Sequence, residues 1–236
     1  IQFRFKNFKS FRDDTILDLS ATKITEHSDR VISAGYDKLL PTAAIFGANA
    51  SGKSNVIEAF RYMTTYVIEF FSYGGDPNDR KTKNKKLKYT PFLFDSRSKD
   101  VDSASRDAES SFEVYFMGTE ERGYKSYNYG FTLNQDGVIE EWLNSKAKTA
   151  REYKQVFYRN GNELDLSGLP TKSQELIRIS LNKEALIVSL GAKLKVTKLK
   201  SIRDWFYNTN FTNFGNPYEN VFLSSLIPDG FAENKS

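Results

Sequence analysis

The sequence predicts an α/β domain built on a mixed sheet, with an antiparallel β meander and flanking helices. Strict apolar–polar alternation at the start, in IQFRFKNF, and four strand-like runs between residues 111 and 160, the first two of them alternating, predict the strands. A compact apolar run, TAAIF (42–46), ends at a glycine and predicts a buried strand. Beyond that glycine Val56, Phe60, Met63, Val67 and Phe70 recur at three- and four-residue steps, the period of a helix with one buried stripe.

In the first run Ile1, Phe3 and Phe5 fall on one side and Gln2, Arg4 and Lys6 on the other, as in a half-buried strand. The polar turn Arg12–Asp14 then leads into Ile16–Leu19, which predicts a hairpin. Residues 22–40 are polar and mixed and read as loop with a short strand at Val31–Ile32. TAAIF reads as a fully buried strand, and the helix is predicted from Ser54 to Tyr73, ended by Gly74-Gly75 and Asp76-Pro77. Its apolar stripe is core packing. Residues 76–110 read as a polar loop, with an apolar knot at PFLF (91–94) and six basic residues in the nine of RKTKNKKLK (80–88). SFEVYFM, SYNYGFTL, GVIEEWL and YKQVFYR, with the turns GTEERG, NQDG and RNGNE, predict an antiparallel meander. From Lys172 to Phe206 the pattern is helical again, in SQELIRISL and SIRDWFYN. The expected organisation is therefore N-terminal strands, loop and first helix over 1–75, a polar loop over 76–110, a meander over 111–160, and a helical segment over 161–236 leading toward a second half.

Composition bounds the chemistry. The 236 residues are 39% hydrophobic and 14% aromatic, enough for a real core. Cysteine is absent, which excludes disulfides and cysteine metal sites. A single histidine, His27, argues against zinc or a histidine-based triad. No apolar run approaches the ~18 residues of a membrane span, and no leader-like stretch precedes the first strand, so a cytoplasmic protein without a membrane partner is expected. The net charge of +4 permits contact with nucleic acid without arguing for it. Starting at Ile1 and closing on PDGFAENKS, the sequence is expected to be part of a longer protein.

Gly47, Gly52, Lys53 and Ser54 fit the pattern G-x-x-x-x-G-K-S/T, placed between the predicted strand and the predicted helix. Gly47 allows a sharp exit from the strand, and Gly52 allows the backbone to approach phosphate oxygens. Backbone amides of residues 49–54 then form an anion nest at a helix N-terminus. Lys53 places a point charge between outer phosphates, and the Ser54 hydroxyl suits Mg²⁺. The expected ligand is ATP with Mg²⁺.

The loop GANASGKSN resembles that of the ATP-binding-cassette heads in the structural-maintenance-of-chromosomes, recombination-F and overcoming-lysogenization-defect group, matching it at Asn49, Ser51 and Asn55. Many members carry glycine in the place of Ala50. FRFKNFKSFRDDTILDLSA is similar to the group's opening strand and turn, Asn-Phe-Lys/Arg-Ser-Phe. The chain resembles in particular bacterial abortive-infection and phage-defence AAA-type ATPases, densely over residues 1–75 and more thinly over 111–160. The resemblance implies a P-loop NTPase fold of the ABC-type head, lobe I. It implies that Lys9, Ser10, Gly47, Ala48, Asn49, Ala50, Ser51, Gly52, Lys53, Ser54 and Asn55 hold the nucleotide, that Ser54 ligates the metal and that Lys53 is catalytic. It further implies ATP-driven dimerisation with a second copy of the head, gating DNA binding or a partner nuclease or toxin effector, in anti-phage defence.

Hydrolysis in that group needs an apolar strand ending in Asp-Glu, an LSGG-like signature and a switch histidine. EALIVSLGA (184–192) is the best buried strand-like run late in the chain, but it ends in Ser189-Leu190-Gly191. DLSGLP (165–170) sits in a turn after the fourth strand, without a helix start of the right kind, and His27 precedes the loop. The full-length protein is thus expected to be an ATPase, whereas this stretch is expected to bind ATP without cleaving it, its catalytic complement lying in its own C-terminal half. The alternatives are a DNA repair or recombination head, a P-loop kinase or GTPase, and a nucleic-acid module using Arg80–Lys88 with Tyr89 and Phe92. A GTPase expects Asn/Thr-Lys-x-Asp, which TKSQ and VTKLK do not provide.

Overall fold

The computed structural model describes residues 1–23, 26, 28–34, 37–73, 87, 89–93, 108–120 and 123–212. Its centre is a seven-stranded sheet. The strands are β1 (Gln2–Lys6), β2 (Thr15–Asp18), β5 (Ser110–Glu120), β6 (Gly123–Asn134), β7 (Gly137–Ala147), β8 (Lys154–Asn160) and β9 (Glu163–Asp165), in the spatial order β2-β1-β5-β6-β7-β8-β9. A separate hairpin joins β3 (Ile32–Ala34) to β4 (Asp37–Leu39). The helices are α1 (Lys53–Tyr73), α2 (Thr171–Ser180), α3 (Ile187–Lys193) and α4 (Thr197–Tyr207).

The opening alternation folds as it reads: Phe3 and Phe5 are buried and Arg4 and Lys6 exposed, with Phe3 opposite Leu17 in the hairpin to β2. The turn between them has Asn7 and Lys9 at φ 53 and φ 50, closed by the reciprocal Phe8 and Phe11 amide–carbonyl bonds of 2.8 and 2.9 Å. Asparagine tolerates this left-handed backbone better than most residues. Its side chain also ties distant segments together, donating to the Glu109 carbonyl and accepting from the Phe92 amide, both at 3.0 Å. The four expected meander strands are β5–β8, joined in antiparallel hairpins.

One face of the sheet carries the core. α1 lies on it through Val56, Ala59, Tyr62, Met63 and Val67, and Tyr62 stacks on Phe112 of β5 with ring centroids 5.2 Å apart. Trp205 of α4 stacks on Phe116 at 4.0 Å.

The structure corrects four expectations. The sheet is antiparallel at every described pairing, not mixed. The expected mixed character rested on TAAIF being a buried strand, and residues 42–46 join no ladder: they are exposed, with Phe46 90% accessible. Nothing among the described residues covers or pairs with this run. EALIVSLGA is not strand-like either, since Ile187–Lys193 is helix α3. A short apolar run has no periodicity to separate the two states, and here a tertiary contact decides. The Glu141 carboxylate of β7 accepts the Ile187 amide at 2.6 Å and the Val188 amide at 3.2 Å, capping a helix whose own N-cap, Leu186, has no side-chain acceptor. Finally, DLSGLP is followed directly by a helix, α2, beginning at Thr171. The hairpin partner β4 and the short β9 were not expected; both are three-residue strands too brief to show alternation.

Candidate phosphate-binding site

Residues 47–52 turn sharply from the extended segment into α1. Ala50 has φ 64 and Gly52 φ 89, and the Ser51 amide donates to the Ala48 carbonyl at 3.3 Å. A glycine in the place of Ala50, which many of the resembled heads carry, relieves the left-handed strain that alanine bears here. The Asn55 amide donates to the Gly52 carbonyl at 2.8 Å, starting the helix ladder.

The Lys53 ammonium folds back over the loop and donates to the Gly47 carbonyl at 2.8 Å and the Ala48 carbonyl at 2.6 Å. An ammonium has three donors, so the two carbonyls fix its position while leaving donor capacity for an anion in the loop. Gly47, Ala48, Asn49, Ala50, Ser51 and Ser54 are exposed and Gly52, Lys53 and Asn55 half-buried, so the loop faces outward. No acidic side chain lies between Gly47 and Asn55. The donor set of Lys53, loop amides and the Ser54 hydroxyl therefore fits a polyphosphate. Among the described residues no group of three or more His, Cys, Asp or Glu could hold a metal. A divalent cation here would rely on Ser54 and phosphate oxygens.

Gly47 does not occupy the left-handed region; a side chain there would meet Ser51 Oγ at 2.8 Å. Gly52 answers to two constraints. Its φ is positive, and a Cβ would sit 2.8 Å from Ser10 Oγ and 3.2 Å from the Phe11 ring. The β1–β2 turn thus packs on the loop itself.

Of the two turn residues expected at the nucleotide, Ser10 lies against the loop, accepting from the Asn55 amide group at 2.8 Å. Lys9 instead pairs with Glu58 of α1, and its backbone amide donates to the Thr90 carbonyl at 3.0 Å. Phe11 and Glu58 were not singled out from the sequence. Phe11 was legible as the final aromatic of the turn motif, whereas Glu58 carries no signal beyond its place on the exposed side of α1. His27 lies outside the described residues, as does the basic run 80–88 apart from Leu87.

Glu141 is fully buried and was also missed. It belongs to the core. Its partners are the α3 N-terminus and the Tyr129 hydroxyl, 3.0 Å away, beside Tyr66 of α1. Tyr66 is thirteen residues along the helix from Lys53, roughly 20 Å at the α-helical rise. This carboxylate therefore stands too far from the loop to orient an attacking water there. Arg159 completes the cluster, donating to the Ala185 carbonyl at 2.8 Å and the Asn182 carbonyl at 3.2 Å.

No described helix is long and apolar enough to cross a membrane. No curated protein and no solved structure matches the chain. Residues 43–185, running from the extended segment through the loop, α1 and the meander to the start of the α3 region, match the family described as AAA domain, putative AbiEii toxin, Type IV TA system. That match takes in more than half of the chain and the whole phosphate loop, and the chain accordingly belongs to this family of P-loop AAA-type ATPases related to abortive-infection systems.

Proposed function

We propose that this chain is the Mg-ATP-binding lobe of an ABC/SMC-like ATPase that dimerises on ATP and gates DNA binding or a partner nuclease or toxin in anti-phage defence. The observation that carries the nucleotide reading is the loop geometry. Left-handed Ala50 and Gly52 lead into α1, and Lys53 is clamped over the loop by the Gly47 and Ala48 carbonyls. Bound Mg-ATP supplies the anhydride whose cleavage resets the assembly. On this reading Lys53 and the loop amides neutralise the outer phosphates, the Ser54 hydroxyl orients the cation, and Ser10 and Phe11 border the ligand from the β1–β2 turn.

The exposed run at 42–46 supports the remainder of the proposal. An apolar strand-like segment that feeds the loop and has no ladder partner among the described residues suits pairing with strands of the C-terminal half. That half would also carry the Asp-Glu strand and the signature.

Titration with a fluorescent ATP analogue in magnesium tests the nucleotide reading. Binding that Lys53→Ala weakens at least tenfold, with no measurable turnover by this chain alone, is expected. Binding indifferent to Lys53→Ala overturns it. Dimerisation is tested by sedimentation of the full-length protein with and without ATP, where an ATP-independent monomer overturns that part.

A further inference from the structure

The sheet face turned away from α1 carries a groove of about 520 Å³. Phe112, Val114 and Phe116 of β5 point into the core, so Tyr115 points to the other side. The groove floor crosses four neighbouring strands: Gln2 of β1 opposite Tyr115 of β5, and Ser126 of β6 opposite Lys146 of β7. One wall is the β3–β4 hairpin, which contributes Lys38. That hairpin is fixed to the sheet edge by bonds from the Ala21 amide to the Lys38 carbonyl at 2.8 Å and from the Leu40 amide to the Leu19 carbonyl at 2.7 Å. On the other side stands Tyr153, between β7 and β8, edge-on to Tyr115 with ring centroids 6.0 Å apart. Lys146 Nζ lies 5.0 Å over the Tyr153 ring.

Two ammonium groups line this groove together with two half-buried tyrosine rings and hydroxyl and amide groups, and among the described residues no carboxylate side chain lines it. Lysines alone would take any anion. Lysines beside accessible ring faces favour an anion that carries a flat aromatic system. The volume falls within the roughly 300–1,000 Å³ of small-molecule sites. The phosphate loop lies at the N-terminus of α1, which packs on the opposite face of the sheet, so the groove is a separate site. We propose that it binds a nucleotide unit, the base stacking on Tyr153 with Tyr115, at 78° to that ring, bordering it, and the phosphate held between Lys38 and Lys146.

A free nucleotide and a single strand of nucleic acid share this chemistry, and the experiment separates them. The chain carrying Lys53→Ala, which removes the phosphate-loop lysine from the readout, is titrated with a labelled ten-residue oligo-dT, and free thymidine monophosphate is added as competitor. Tyr153→Ala is expected to weaken binding roughly tenfold, the scale of one lost stacking contact, while Tyr153→Phe retains it. Lys38→Ala and Lys146→Ala are each expected to lower the salt dependence of the affinity by about 0.7 in log–log slope. Lys38 sits on the exposed hairpin, so its variant reports on binding even if a Tyr153 change disturbs folding. Displacement by the free nucleotide identifies a small-molecule site, and resistance to it identifies a strand-binding site. Absence of binding by both probes, or affinity and salt slope unchanged in the lysine variants, overturns the proposal without bearing on ATP binding at Lys53.

Discussion

The Asn55 amide group donates to the Ser10 hydroxyl at 2.8 Å, fastening the β1–β2 turn to the first turn of α1 across 45 residues of sequence. The bond brings the turn and the loop to one place, since Ser10 Oγ also stands 2.8 Å from the point where a Gly52 Cβ would lie. Asn55→Ala removes a single hydrogen bond, about 1 kcal/mol of stability. If that bond positions Ser10 for the ligand, the same change lowers ATP affinity roughly fivefold. Calorimetric titration of wild type and Asn55→Ala measures both, and full affinity in the variant removes Ser10 and Asn55 from the site.

The two glycines of the loop differ in what they tolerate. Gly52→Ala places a side chain at φ 89 against Ser10 Oγ and the Phe11 ring, and the ring cannot yield without disturbing Phe5, whose centroid is 5.1 Å away. The expected cost is about 2 kcal/mol. Gly47→Ala meets Ser51 Oγ, and that hydroxyl can rotate away, so a change within about 0.5 kcal/mol is expected. Urea midpoints of the two variants rank them, and equal losses would show that the Phe11 contact does not constrain Gly52.

How far the sequence carried the fold depended on whether a signal was local. Phe3 and Phe5, the meander strands and the loop with its helix are all written in period or motif, and they fold as they read. TAAIF has the composition of a buried strand, but burial needs a partner strand, and none is among the described residues. IVSLGAK takes helical form because a carboxylate more than forty residues away caps it, a contact no local pattern encodes. For the same reason Ser10 could be placed at the loop from its motif, whereas the Lys9–Glu58 pair could not.

The exposed segment yields a comparison of two phenylalanines. Phe46 is 90% accessible, so Phe46→Ser changes the stability of this chain by less than about 0.5 kcal/mol. Phe3 is fully buried, with its ring centroid 4.8 Å from Phe60, and Phe3→Ala costs roughly 3–5 kcal/mol. Thermal melts of both variants check the contrast. A large loss in Phe46→Ser would mean that the segment is already packed in solution.

Glu141 joins the meander to α3, and its variants test both geometry and charge. Glu141→Gln keeps one acceptor but turns its NH₂ group toward either the Ile187 amide or the Val188 amide and Tyr129 hydroxyl, which leaves a buried donor unsatisfied and is expected to cost about 2 kcal/mol. Burial pushes this carboxyl up from its ordinary 4.5 to about 7, against the downward pull of the Ile187 and Val188 amides and of Arg159. Between those two pH values the folded protein keeps a proton that the unfolded chain has released, so stability falls as pH rises through the window. Glutamine does not titrate. The stability gap between wild type and Glu141→Gln is therefore widest near pH 4.5 and narrows toward pH 7, as urea unfolding at several pH values would record. A gap that widens with pH would mean that the three donors to the carboxylate and the Arg159 charge outweigh burial and that the ionised carboxylate is the form that holds α3 in place.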